Sequence, residues 1–97
     1  MEHKLNNGTL TIFLKGKINS SNSEEAEQEI NRIIADNSFT SLVFDLGELV
    51  YISSAGLRIL LGVKQEHDDT KLVNVSDAIY EILVMVGFDS VLTIERQ

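Results

Sequence analysis

Stretches with the two-residue repeat of β-strands alternate along this chain with stretches that have the repeat of α-helices, and this alternation constrains the fold most. From residue 9 to residue 15 an apolar side chain recurs at every second position, which predicts a half-buried strand. Asn7-Gly8 just before it is typical of a tight turn, so residues 3–5 are expected to pair antiparallel with that strand. The chain is therefore predicted to open with a β-hairpin.

The rest of the chain continues as helix, strand, helix, strand, helix and strand. Strands are predicted at residues 42–46, 72–75 and 91–94, and helices at about residues 22–35, 53–65 and 76–87. This order favours an α/β fold with a mainly parallel mixed sheet. If the strands are added in sequence in one direction, right-handed crossovers place the helices mostly on one face. With 97 residues and no linker, a single domain over residues 1–97 is expected.

Short local signals predict where these elements begin and end. Residues 21 and 24, or residues 22 and 25, have the spacing of a capping box at the start of the first helix. The second main strand is expected to end in Asp45 before a turn at Gly47. The Asp45 carboxylate is expected to bond backbone N–H groups near residues 53–56, with a partner contact as the alternative. Gly87 suits a left-handed cap at the end of the last helix.

Charge and composition argue against several kinds of function. The net charge is −7 and the eight basic residues are scattered, so nucleic-acid binding is not expected. No apolar run approaches the roughly 20 residues of a membrane-spanning helix, so membrane insertion is not expected either. Without cysteine, and with only His3 and His67 as imidazoles, the chain offers no support for a metal or another cofactor. A chain without cysteine or an export signal is expected in the cytoplasm.

Two serines, Ser53 and Ser54, stand directly before the second helical stretch. A helix start presents unpaired backbone N–H groups and the positive end of the helix dipole, which favour a capping hydroxyl and also a phosphate. The pair is therefore interpreted either as a helix cap or as a phosphorylation site, and the two roles are compatible in neighbouring residues.

Catalysis by an activated serine is not supported. Ser54-Ala55-Gly56 matches the second half of a G-x-S-x-G nucleophile elbow, but Ile52 stands where the first glycine is needed for the sharp turn. The only histidine after the serine, His67, is expected about four helical turns away, too far to act as its base. The six glycines form no phosphate-binding loop, so a phosphate would have to come from another protein. The chain is predicted not to be an enzyme.

The stretch from residue 43 to residue 57 resembles the signature of STAS domains, specifically those of bacterial anti-sigma factor antagonists. The matching segments are residues 43–46 and 50–57, and residues 14–19, 73–76 and 86–92 follow in register. The resemblance extends from about residue 5 to residue 95 and implies a small STAS-type α/β domain.

That resemblance implies a phosphorylation switch at Ser54. In the family, the matching serine is phosphorylated by a partner anti-sigma factor with a kinase-type ATPase fold, and a serine phosphatase removes the phosphate. The unphosphorylated antagonist binds the anti-sigma factor and the phosphorylated form releases it. The surface expected to bind the partner comprises Asn19, Ser20, Tyr51, Ser53, Ser54, Ala55, Gly56, Leu57 and Arg58.

Alternatives to this interpretation remain open. Ser53 stands where many phosphorylated members have Asp, so Ser53 is a competing acceptor, and Asn19 replaces an Asp common at its position. STAS domains also serve as constitutive structural subunits of transporter ATPase assemblies, without a phosphorylation cycle. A small anionic ligand bound at the helix start is the third alternative.

Overall fold

The computed structural model describes residues 1–97 and consists of one five-stranded sheet, three α-helices and a short 3₁₀ turn. In chain order the elements are β1 (His3–Asn6), β2 (Thr9–Ile18), α1 (Ser23–Asp36), β3 (Ser41–Ile52), α2 (Ser54–Glu66), β4 (Thr70–Val75), α3 (Asp77–Met85), the 3₁₀ turn (Phe88–Ser90) and β5 (Thr93–Arg96). The predicted order of strands and helices is therefore confirmed.

The strands lie in the sheet in the order β1-β2-β3-β4-β5. β1 pairs antiparallel with β2, and every later pair is parallel. Because each parallel strand is added on the same side of its predecessor, right-handed crossovers place the helices on one face of the sheet. The predicted fold, a hairpin followed by a mainly parallel mixed sheet with helices mostly on one face, is confirmed.

The core lies between this sheet face and the helices. Its 21 buried side chains form one cluster in which Phe44 of β3 is completely buried. The predicted alternation in β2 is visible in its burial, since Leu10, Ile12 and Leu14 are buried while the residues between them are only half-buried. The helices add mainly Ile, Leu and Val, among them Ile30 of α1 and Leu60 of α2.

β3 is longer than its sequence predicts. The expectation that it ends in Asp45 before a glycine turn is wrong, because the strand continues through Gly47 to Ile52 and keeps pairing with β2. Two β-bulges permit this, and at each of them β3 contains one residue more than β2. The pairs that flank the bulges are Phe13 with Asp45, Lys15 with Glu48, Gly16 with Leu49 and Lys17 with Tyr51.

Two further boundaries differ from the prediction. The capping box at α1 is wrong: Asn22 is the N-cap residue but makes no capping hydrogen bond, because its side chain is engaged with the turn before it. The last strand begins at Thr93 instead of residue 91, because the N–H groups of Val91 and Leu92 donate to the carbonyl of Phe88 at 3.0 and 2.8 Å. Gly87 adopts the predicted left-handed conformation with φ of 81°.

The carboxyl ends of β2, β3 and β4 lie at one edge of the sheet, and all three helices begin there. α2 and α3 begin directly after Ser53 and Ser76, whereas a short turn at residues 19–22 precedes α1. In parallel α/β sheets, binding sites usually lie at the carboxyl ends of the strands. This edge is also where the sequence places the Ser53-Ser54 pair.

Candidate functional site

The two neighbouring serines have different environments. Ser53 is the N-cap of α2, with extended backbone (φ −85°, ψ 172°), and its Oγ accepts a hydrogen bond from the Gly56 N–H at 3.3 Å. Ser54 is the first residue of the helix, its side chain is exposed, and no hydrogen bond in the structure involves its hydroxyl. The cap and the free hydroxyl, which the sequence could not separate, are thus two different residues.

The start of α2 lies directly on the strand ends beneath it. A Cβ atom built on Gly56 would lie 2.7 Å from Cγ1 of Ile52 and 2.8 Å from Cγ2 of Ile18, so no larger side chain fits without movement. The Ser53 N–H also donates to the Ile18 carbonyl at 2.8 Å. Gly56 and Leu57, both in the predicted partner-binding set, are buried and therefore support the helix start. Ala55 beside them is half-buried.

The turn that carries Asn19 and Ser20 adjoins the same site through Ile18. The Asn19 Oδ1 accepts hydrogen bonds from the N–H of Ser21 at 3.0 Å and of Asn22 at 3.2 Å. The Asn22 side chain returns the contact, since its Oδ1 accepts from the Asn19 N–H at 2.8 Å. Ser20 at the tip is exposed. Asn19 therefore shapes the turn with its side chain, and Ser20 is free to meet a partner.

Two exposed apolar side chains precede the serines on β3. Tyr51 is 46% exposed, as its place in the predicted surface requires, and Val50 is 67% exposed. Val50 is the additional residue of the second bulge, which breaks the alternation and turns two successive side chains outward. Val50 is not among the residues predicted from the sequence for this surface. Its signal was the pair of large apolar residues between the buried Leu49 and Ile52, where a regular strand would bury one of the two.

Arg58 is exposed one helical turn beyond Ser54. It lines a shallow groove between α1 and α2 together with Ala55, Glu24 and Glu27, but it forms no ion pair with either carboxylate. By contrast, Lys15 on β2 pairs with Glu2 at 2.6 Å and with Glu48 at 3.5 Å, and the hydrogen bond to Glu2 raises the pKa of the Lys15 ammonium. Arg58 is thus an unpaired positive charge one helical turn from the unbonded Ser54 hydroxyl.

Asp45 lies outside this site. The expectation that its carboxylate bonds N–H groups near residues 53–56 is wrong, because Oδ1 accepts from the Gly47 N–H at 2.9 Å and from the Asn74 Nδ2 at 3.3 Å. Asn74 has a positive φ of 58°, and Gln97 donates to its carbonyl at 3.2 Å. Asp45 therefore spans the first bulge of β3 through its bond to Gly47 and joins β3 to β4 through its bond to Asn74.

The structure places neither a cluster of metal-ligating side chains nor a histidine beside Ser54. The structure contains no group of three or more His, Cys, Asp or Glu side chains that could hold a metal ion. His67 is the C-cap of the 13-residue α2, at the opposite end of the helix from Ser54, about 20 Å away. Its ring packs against Phe39 with the ring centroids 5.4 Å apart. None of the three helices is both long and apolar enough to span a bilayer.

Comparison with known proteins agrees with this architecture. The sequence model of the STAS domain family matches residues 1–97. The chain belongs to the STAS domain family. It is similar to BtrV of Bordetella bronchiseptica, which is named as a candidate anti-sigma factor antagonist, with 36% identity over 88 residues that cover 87% of this chain and 75% of BtrV. The resemblance drawn from residues 43–57 is thereby confirmed.

Solved structures of anti-sigma factor antagonists have the same fold. An anti-sigma factor antagonist from Mycobacterium paratuberculosis matches with a TM-score of 0.85 at 22% identity, over 97% of this chain and 82% of that one. The Bacillus cell fate determinant SpoIIAA in its phosphorylated form matches with a TM-score of 0.68 at 19% identity, over 96% and 88% of the two chains. At these identities the two structures support the fold alone.

Proposed function

We propose that this STAS domain is an anti-sigma factor antagonist, a non-catalytic switch that binds its anti-sigma factor when Ser54 is unphosphorylated and releases it when Ser54 is phosphorylated. The observation that carries the proposal is the separation of roles at the start of α2. Ser53 uses its hydroxyl as the cap, whereas the Ser54 hydroxyl is exposed and unbonded. The 36% identity to BtrV supports the same role.

The chain contributes only the nucleophile to the proposed phosphorylation. The Ser54 Oγ forms the new bond to the γ-phosphorus of ATP, the bond from that phosphorus to the bridging oxygen breaks, and ADP leaves. The hydroxyl proton passes to a base of the partner, because no side chain of this domain accepts a hydrogen bond from the Ser54 hydroxyl and His67 lies at the far end of α2. The partner is an anti-sigma factor with a kinase-type ATPase fold. A serine phosphatase hydrolyses the phosphate ester with water, which restores the Ser54 hydroxyl and releases inorganic phosphate. The proposed switch operates in the cytoplasm, where ATP is supplied.

The exposed residues around Ser54 form the proposed partner surface. Ser20, Tyr51 and Arg58 are exposed at the same end of the sheet, and Val50 adds further exposed apolar area beside them. A phosphate on Ser54 brings a charge of about −1.5 to −2 into the middle of this surface. Each 1.4 kcal/mol of lost interaction weakens binding about tenfold, so desolvating one dianion is enough to release the partner. The core beneath is not altered.

Mass spectrometry of the domain after incubation with its cognate anti-sigma factor and ATP tests the proposal. We expect one phosphate on the wild-type protein, one on a Ser53→Ala variant and none on a Ser54→Ala variant. Circular dichroism of each variant verifies that it is folded, which matters because Ser53→Ala removes a helix cap.

Two outcomes would contradict the proposal. Phosphate retained by Ser54→Ala but lost from Ser53→Ala would move the acceptor to the capping serine. Absence of phosphate on the wild-type protein, together with co-purification of a transporter ATPase and no anti-sigma factor, would favour the constitutive structural role.

A further inference from the structure

Arg58 is a basic residue for which the unphosphorylated protein provides no ionic partner. Of the eight basic side chains, Lys15, Lys64, Lys71 and Arg96 form ion pairs within the domain, whereas Lys4, Lys17, Arg32 and Arg58 form none. Among the unpaired four, Arg58 is the one on the same helix as Ser54. Arg58 forms no ion pair, although the protein has a net charge of −7 and Glu24 and Glu27 line the same groove. The domain thus keeps a guanidinium uncommitted within one helical turn of the proposed acceptor.

Ser54 and Arg58 occupy the same face of α2. Residues four apart on a helix are neighbours, with Cβ atoms about 6 Å from each other. Both side chains are exposed, whereas Gly56 and Leu57 between them are buried, so the two project from the solvent side of the helix. Ser53 lies outside the helix and its Oγ is turned toward the Gly56 N–H. A phosphate on Ser54 is therefore well placed to meet the guanidinium, and a phosphate on Ser53 is not.

The start of α2 also lacks the negative charge that the other helices have. α1 has Glu24 and Glu25 in its first turn and α3 has Asp77, but the first turn of α2 contains no acidic residue. A negative charge near a helix N-terminus is stabilising because it offsets the helix dipole. Phosphorylation of Ser54 would supply this charge next to an unpaired guanidinium.

We infer that Arg58 is the internal counter-charge that binds the phosphate of phosphorylated Ser54 within the same helix. This inference rests on the proposed phosphorylation of Ser54 and specifies how the phosphorylated state is held. The contact keeps the phosphate on the surface of α2 and at the same time withdraws Arg58 from the partner surface. Phosphorylation then changes that surface twice, by adding a dianion and by removing a free cation.

The experiment is a ³¹P NMR titration of the domain with phosphoserine incorporated at position 54 during synthesis, which requires no kinase. A nearby cation favours the dianion, so Arg58 should lower the second pKa of the phosphate. We expect this pKa to rise by about 0.3 unit or more in Arg58→Gln, the size of an i,i+4 ion pair on a helix surface. Arg58→Lys should retain part of the shift. High salt should reduce the difference between wild type and Arg58→Gln.

Other charges near the phosphate provide the controls. Lys64 is on the same helix but ten residues from Ser54 and pairs with Asp68, so Lys64→Gln should leave the phosphate pKa unchanged. Lys17 lies on β2, opposite Tyr51 of β3. Because Lys17 is on a different element from Ser54, we expect Lys17→Gln to shift the phosphate pKa less than Arg58→Gln does. Glu24 and Glu27 face Arg58 from α1 and are unchanged in every variant.

An Arg58→Gln protein with the wild-type phosphate pKa, or a Lys17→Gln shift as large as that of Arg58→Gln, would overturn the inference. Because the phosphate is installed chemically, this result is independent of whether an anti-sigma factor phosphorylates Ser54. Failure of the contact and failure of the proposed function are therefore separate observations.

Discussion

The starts of α2 and α3 are built alike but differ in charge. Each is capped by a serine whose Oγ accepts a hydrogen bond from the backbone N–H three residues further on, at 3.3 Å in both cases. Ser53 and Ser76 also share an extended backbone conformation. The next residue, the first of the helix, is the neutral Ser54 in α2 and the acidic Asp77 in α3.

The difference shows which part of the common design is structural. At α3 the negative charge is permanent and bonded to Arg96 at 2.8 Å, which also stacks over the Tyr80 ring. At α2 the same position holds a hydroxyl, and Arg58 is left unpaired. The cap is thus sufficient to start either helix, and the charge at the first position is an addition that α3 has permanently. Under the proposed function, α2 acquires it reversibly.

The largest effect on stability is expected at the third helical position, where α2 and α3 require different residues. Ile79 occupies it in α3, but Gly56 occupies it in α2, because Ile52 and Ile18 leave no room for a Cβ. We expect Gly56→Ala to lower the free energy of unfolding by about 1–3 kcal/mol, measured by urea denaturation. Gly62→Ala is the matched control in the same helix. With nothing within 4 Å of its Cβ position, it should stabilise by about 0.5–1 kcal/mol.

A Gly56→Ala protein as stable as the wild type would show that the two isoleucines move aside at little cost. The start of α2 would then be a softer contact than the distances of 2.7 and 2.8 Å indicate.

The two capping serines should contribute equally. Ser53→Ala and Ser76→Ala are each expected to lower the free energy of unfolding by about 1 kcal/mol, measured by urea denaturation. Each variant removes the Oγ that accepts a hydrogen bond from a backbone N–H group of the first helical turn. The caps are in different helices, so the double variant should show the sum. Ser54→Ala removes no hydrogen bond and should stay within about 0.5 kcal/mol of the wild type. A larger loss in Ser54→Ala than in Ser53→Ala would contradict the division of roles between the serines.

The sequence predicts the parts of the molecule that depend on local pattern. The alternation in β2, the apolar helices and the left-handed Gly87 are determined by residues close in the chain, and all three agree with the structure. The serine pair is also found at a helix start. Spacing alone could not tell which serine caps, since that depends on where the strand end at Ile52 releases the backbone into the helix.

The parts that were not predicted depend on distant partners. β3 continues past Gly47 because β2 still offers backbone groups for pairing, and the bulges that expose Val50 exist only in that pairing. The capping box at α1 fails for a similar reason. The Asn22 side chain donates to the Lys17 carbonyl at 2.8 Å, and this contact with the end of β2 competes with the local cap. The residue pattern within a single helix or strand does not reveal such competing contacts.

The smallest expected effect comes from exchanging the charge at the first helical position. Ser54→Asp gives α2 the acidic residue that α3 has, so it should stabilise the domain by about 0.3–1 kcal/mol, and Asp77→Ser should destabilise it by a similar amount. Urea denaturation at low and high salt measures both, and salt should reduce both differences because these side chains are exposed. Adding Arg58→Gln to Ser54→Asp should remove part of the gain in stability.

The sign of the Ser54→Asp effect decides why a serine occupies position 54. If Ser54→Asp destabilises the domain, the positive end of the α2 dipole is already compensated, and Ser54 is explained by its contribution to folding. If it stabilises, a more stable residue was available at position 54, and the serine is explained by the need for a hydroxyl that can gain and lose its charge.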